Sequence, residues 1–210
     1  MVSHQNPPGE VRDRLLSAAQ QVFARCGYAG GTVDDIIAAA GTSRATFYRY
    51  FRSKEHLFDE LSRACFKEMR SITKELAADD PVVTDPERLE RLVAAFGAMQ
   101  ERQRGVIRAW LEKADRPGSS VRKEAAQTFH ALLQGLEQRI QAVGTPSEVD
   151  AEVQAALLFI LMTRSTFYVR HRHSRLNPDE LTPTLATMIQ RAYLGGTLER
   201  RSRLRVAAGG

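Results

Sequence analysis

The chain is poor in the residues and patterns that mark most chemistries. Of its 210 residues only Cys26 and Cys65 are cysteines. No spacing between cysteines and histidines resembles a zinc site, and two thiols fit a reduced, cytosolic protein. No apolar run approaches the roughly 18 residues a membrane span requires. Residues 1–10 are polar and carry Pro7, Pro8 and Gly9, unlike the apolar centre of a signal peptide, so a cytoplasmic location is expected. No segment alternates apolar and polar residues as a half-buried strand does. A P-loop, an HExxH pair, paired catalytic carboxylates and a Cys/His nucleophile set are all missing, which argues against an enzyme and leaves no expected cofactor. His171 and His173 lie two apart, on different faces of a helix, and no metal site is expected there either.

What remains is a helical pattern. Hydrophobic residues make up 43% of the chain, enough for a packed core. The formal charge of +5 is a modest basic excess, a weak pointer to nucleic acid by itself. A first helix is expected at about residues 10–26, with Val11, Leu15, Ala18, Ala19, Val22 and Phe23 on one face and Gly27 as its C-terminal cap. Thr32 and Asp35 have capping-box spacing before a short helix that Gly41 ends. Ser43 can cap the next helix, 44–51, and Ser53 a long fourth one from Lys54 to about Leu76. Further helices are expected at about 87–102, 105–115, 119–143, 147–172 and 178–193, separated by breaks at 77–86, 117–118, 144–146 and 177–178. The fold class is all-α. An N-terminal helix-turn-helix domain (10–53) follows a flexible arm (1–9), and a helical bundle (54–195) precedes a basic tail (196–210).

Two short helices joined by a glycine turn, the second starting at a serine cap, match a helix-turn-helix. At 100° per residue, Phe47, Tyr50 and Phe51 fall on the side facing the first helices, and Ala45, Tyr48 and Arg49 on the other, flanked by Arg44 and Thr46. Those outer residues suit a major groove: arginine forks onto guanine, threonine bonds base edges and a methyl touches thymine. Between Thr42 and Lys54 the charged residues are Arg44, Arg49, Arg52 and Lys54, with no acid that phosphate would repel. An ordinary surface helix with solvated arginines is the competing reading. It leaves the exposed aromatics, the successive caps and the tight turn unexplained.

Residues 22–58, VFARCGYAGGTVDDIIAAAGTSRATFYRYFRSKEHLF, resemble the N-terminal domain of TetR family transcriptional regulators. The resemblance rests on Phe23, Gly27–Tyr28, Thr32-Val33, Ile36, Ala39-Ala40-Gly41, Ser43, Thr46-Phe47-Tyr48, Phe51 and Ser53-Lys54-Glu55. It implies that Arg44, Ala45 and Thr46 meet bases, that Thr32, Tyr48, Tyr50 and Lys54 hold phosphates, and that Arg49 does either. Ala45 stands where the family commonly has glycine, and Thr42 where it commonly has valine. A single helix-turn-helix reads few base pairs, so a homodimer on palindromic half-sites of double-stranded DNA is expected.

The helix at 147–172 is apolar nearly all round, with Val149, Val153, Leu157, Ile160 and Phe167 on one side and Leu158, Phe159 and Met162 on the other. A helix apolar on both sides needs two partners, one of which can be a second subunit. The resemblance also implies a small-molecule effector pocket in the bundle, with the fourth helix as lever. Candidate pocket residues are Phe96, Met99, Trp110, Phe129, Leu133, Phe159 and Met162, although the same residue types fill ordinary cores. Arg164 falls in the apolar stripe, where an unpaired charge is costly. It either pairs across the dimer or anchors an acidic group of a ligand. Arg170–Arg175 reads as cations at a helix C-terminus, and Arg200, Arg201, Arg203 and Arg205 as a tail that is solvated or touches DNA backbone. The function implied is a transcriptional regulator, a repressor released by a small apolar ligand. The alternative is a DNA-binding regulator controlled by a partner protein.

Overall fold

A computed structural model describes residues 8–77, 85–113, 120–143, 150–171 and 177–193 of the chain. The arm up to residue 7, the tail from 194 and the basic segment at 172–175 lie outside the described residues, as does Val149. Among the described residues every regular element is a helix: α1 (Pro8–Gly30), α2 (Val33–Ala40), α3 (Arg44–Tyr50), α4 (Lys54–Ala77), α5 (Pro86–Arg102), α6 (Arg104–Lys113), α7 (Ser120–Val143), α8 (Ala151–His171) and α9 (Pro178–Tyr193). None of them is long and apolar enough to cross a membrane.

Local chemistry sets the boundaries. Thr32 accepts a hydrogen bond from the Asp35 backbone while the Asp35 carboxylate accepts from the Thr32 N–H at 2.9 Å, a complete capping box. Gly41, in the left-handed region at φ 58°, ends α2. Ser43 Oγ accepts from the Thr46 N–H and Ser53 Oγ from the His56 N–H, each at 3.1 Å, which starts α3 and α4. Asp85 and Pro86 do the same for α5.

One expectation changes at Gly27. It does not end the first helix; it kinks it, with φ 73° and ψ −179°, a backbone state reserved for glycine, and helical residues resume up to Gly30. Helix α4 then runs from the N-terminal unit into the bundle. Its first half buries Leu57, Phe58 and Leu61, and its second half buries Cys65, Phe66 and Met69. It meets α1 at one end and α5 and α7 further along, while α9 packs on α5 and α8. Among the described residues a large cluster of buried side chains extends from Val11 in α1 to Ile189 in α9, with a smaller one at Phe66 and Ala125 beside it. Cys65 lies inside the large cluster, where burial pushes its thiol up to about 12, whereas Cys26 is exposed.

Candidate nucleic-acid interface and its tie to the bundle

Helix α3 has one anchored face and one open face. Phe47 and Phe51 are wholly buried, with ring centroids 5.8 Å apart, and Tyr50 is half-buried against the same core. Removing either phenylalanine side chain should cost about 3–5 kcal/mol, so this face fixes how α3 is presented. Ala45, Tyr48 and Arg49 are exposed on the other side, Tyr48 by 47%. An exposed tyrosine between two arginines suits an anionic, hydrogen-bonding partner such as a DNA backbone.

Several of these side chains are held before any DNA arrives. Arg44 is ion-paired to Asp34 of α2 at 2.7 Å, and its guanidinium lies 5.9 Å from the Tyr48 ring centre. Arg49 lies 5.1 Å from the ring of Tyr50 and donates to its hydroxyl at 3.5 Å. Thr46 shares a 2.9 Å hydroxyl contact with Ser43. The Thr32 hydroxyl donates to Asp35 at 2.6 Å, so the cap already uses it. Lys54 donates to the Tyr28 carbonyl at 2.8 Å and the Gly31 carbonyl at 2.7 Å, with its ammonium 4.3 Å from the Tyr28 ring centre. That ammonium ties the start of α4 to the end of α1. Among the residues expected at DNA, Arg44, Ala45, Tyr48 and Arg49 share one open edge, while Thr32 and Lys54 are built into the frame beside it.

Helix α6 grips that frame from the bundle side. Near the kink, Arg108 donates to the carbonyls of Ala24 and Arg25 at 2.9 and 3.2 Å. The Glu112 carboxylate accepts from the N–H groups of Tyr28 and Ala29 at 2.7 and 3.3 Å. The backbone groups that Gly27 releases from the α1 ladder are thus satisfied by a helix more than eighty residues away. Lys113, nearly buried, pairs with Glu55 at 2.9 Å and stands 4.4 Å from the Tyr28 ring centre. Burial alone would depress its ammonium, but the Glu55 hydrogen bond and Tyr28 outweigh that and hold it above the ordinary lysine range. Gly105 lets the two helices touch, since a methyl there would stand 2.1 Å from the Gln20 carbonyl oxygen. Neither Asp34 nor Arg108, Glu112 and Lys113 stood out in the sequence, because the partners they hold on α3, α1 and α4 lie ten to more than eighty residues away.

On its other side α6 offers Trp110 to an aromatic seam in the bundle. Trp110 packs on Phe129 at 5.4 Å, Phe129 on Phe159 at 5.5 Å, and Phe159 on Phe96 at 6.5 Å. Phe66 of α4 joins at 6.4 Å from both Trp110 and Phe129. Phe96, Met99 and Met162 are buried, while Trp110, Phe129, Leu133 and Phe159 are partly exposed. Four of the seven apolar pocket candidates therefore meet in one ring-to-ring chain. Arg164 does not join them: it is exposed on α8, on the same stripe as Val153, Leu157 and Ile160.

Comparison with known proteins agrees with this geometry. Residues 15–61 match the family model described as bacterial regulatory proteins, tetR family. The HTH-type transcriptional regulator YhgD of Bacillus subtilis is 24% identical over 174 residues, 81% of this chain and 90% of its own. The HTH-type transcriptional repressor DhaR of a Mycobacterium species is 36% identical over 87 residues, 41% of this chain and 43% of its own, so that likeness spans less than half of each protein. A transcriptional regulator from Saccharomonospora viridis, crystallised in complex with choline, superposes with a TM-score of 0.66 at 25% identity, covering 88% of this chain and 97% of that one. These relatives are regulators rather than enzymes. The open arginine–tyrosine edge thus lies in a segment that matches the tetR family model, and over most of its length the chain is similar to HTH-type transcriptional regulators.

Proposed function

We propose that this regulator is a homodimeric repressor, released from a palindromic operator by a small, largely apolar ligand in the seam around Trp110. The observation that carries the reading is the double allegiance of α6. Trp110 packs in the aromatic seam, while Arg108 and Glu112, two residues to either side, bind the kink of α1. A ligand that fits one placement of Trp110 better than another favours the matching placement of α6, and with it the orientation of the helix-turn-helix. The naming of DhaR as a repressor and the choline bound to the Saccharomonospora protein support this direction.

Dimerisation draws support from α8 and α9. Val153, Leu157 and Ile160 recur along α8 and Met188 stands on α9, each about half exposed at 49%, 50%, 53% and 51%. A row of large apolar side chains in water is the mark of an interface. Arg164, beside that row, is proposed to pair with a carboxylate across the dimer.

Trp110 is the only tryptophan, so its fluorescence reports directly on the seam. A compound panel that includes choline should be scored in parallel for change in that emission and for release of a DNA duplex selected by the protein. Compounds that shift the emission should also release the duplex. A set that perturbs Trp110 and leaves DNA retention untouched would refute the coupling.

A further inference from the structure

Helix α2 opens with two adjacent acids that have different fates. Asp35 is absorbed by the capping box, accepting from both the backbone N–H and the hydroxyl of Thr32. Asp34 takes no part in the cap. Its side chain is 71% exposed and reaches across the turn to Arg44 Nη1 at 2.7 Å. An exposed ion pair of this kind contributes little to stability, and an acid beside the DNA edge repels phosphate. Asp34 therefore burdens affinity for any DNA while fixing one arginine. Arg44 is held on two sides, by the carboxylate and by the Tyr48 ring 5.9 Å away. A guanidinium fixed in this way is pre-set for a planar, two-bond contact and is less free to settle on the nearest phosphate.

We propose that Asp34 is a specificity-determining residue of the DNA interface: it positions Arg44 for a base edge and withholds it from the phosphate backbone. Discrimination is then raised by weakening the wrong complexes as well as by strengthening the right one. The proposal rests on the assignment of α3 as the reading helix.

The test uses the full-length protein, a duplex it selects from random DNA, and a scrambled duplex of equal length, titrated by fluorescence anisotropy over a range of salt. Asp34→Ala should bind the scrambled duplex several-fold more tightly. Its salt slope on that duplex should steepen by about 0.9 for each reading helix engaged, as Arg44 moves to phosphate. Affinity for the selected duplex should stay level or fall, so the ratio between the two drops several-fold. Asp34→Asn, which removes the charge and keeps the shape, should move both quantities the same way. In an Arg44→Ala background the steepening should vanish. The proposal is overturned if Asp34→Ala changes both duplexes by the same factor or neither, while Arg44→Ala still lowers discrimination. If Arg44→Ala leaves discrimination intact, the assignment of the reading helix fails and the proposal falls with it.

Discussion

Gly105 is a point of close approach between α6 and α1, and replacing it by alanine sets two opposing effects against each other. Alanine favours a helix over glycine by up to about 1 kcal/mol, so on propensity alone the variant would be the more stable. Packing runs the other way. The new methyl would lie 2.1 Å from the Gln20 carbonyl oxygen and 2.9 Å from the Ala24 backbone nitrogen. Both are backbone atoms, so no side-chain rotation relieves the clash, and α6 must retreat by roughly 1 Å to reach ordinary contact. Overpacking of this kind costs about 1–3 kcal/mol. Retreat also loosens Val106 and Ala109, which are buried near the crossing, and stretches the hydrogen bonds of Arg108 and Glu112. The net expectation is a loss of about 1–2 kcal/mol, or roughly 3–6 °C in midpoint for a chain of this size. Urea unfolding followed by far-ultraviolet circular dichroism measures it. Gly9→Ala is the internal control: nothing lies within 4 Å of a methyl there, so the same substitution should be neutral or stabilising. A Gly105→Ala protein as stable as the parent, with an unchanged denaturant slope, would refute the claim that contact at this glycine sets the α1–α6 spacing.

Three other expectations are simpler to check. Tyr48→Ala and Arg49→Ala should each weaken binding to a selected duplex without altering the helical circular dichroism, and undiminished binding by the triple variant of Arg44, Tyr48 and Arg49 would remove α3 as the reading helix. Leu157→Glu with Ile160→Glu should convert a dimer to a monomer in sedimentation, since two desolvated carboxylates oppose association; a dimer of unchanged strength would move the interface elsewhere. Hydrogen bonds from the Thr32 hydroxyl and backbone hold the Asp35 carboxyl below the ordinary aspartate range. A depressed carboxyl stabilises the fold at pH above its unfolded value, and that contribution disappears as pH falls through the folded one. The difference in unfolding midpoint between the parent and Asp35→Ala should therefore hold steady from neutral pH down to about 4 and shrink below it.

Much of this molecule was legible where the cause is local. Caps at Thr32, Ser43 and Ser53 and the break at Gly41 depend on residues within four positions, and the structure places them as their chemistry dictates. The division of α3 into a buried face at Phe47 and an open Tyr48–Arg49 face follows from helical periodicity, whereas Phe51 reaches the same core from extended backbone just past the helix. Gly27 marks the limit of such reasoning. Its conformational freedom was readable, but a cap and a kink differ in what satisfies the next N–H groups, and here that is Glu112, 84 residues from Tyr28. Arg164 shows the same limit from another direction. Periodicity placed it correctly on the stripe with Val153, Leu157 and Ile160, yet could not say that this stripe faces outward in one subunit. The basic run at 44–54 was visible too, but not that one of its arginines is claimed by an acid ten residues earlier.

The kink at Gly27 has a consequence for how this protein can be taken apart. Its released carbonyls and N–H groups find their partners on α6, so the N-terminal helical unit does not close its own hydrogen bonding. Chain order suggests a module ending near residue 53, whereas the backbone of that module is completed only by Arg108 and Glu112. Grafting residues 8–53 onto a foreign bundle would leave the end of α1 exposed to water and free to fray. A working chimera would have to bring along an arginine and a glutamate set four residues apart on the helix that meets the kink. The rest of the bundle is free of this constraint, which falls on that one helical turn.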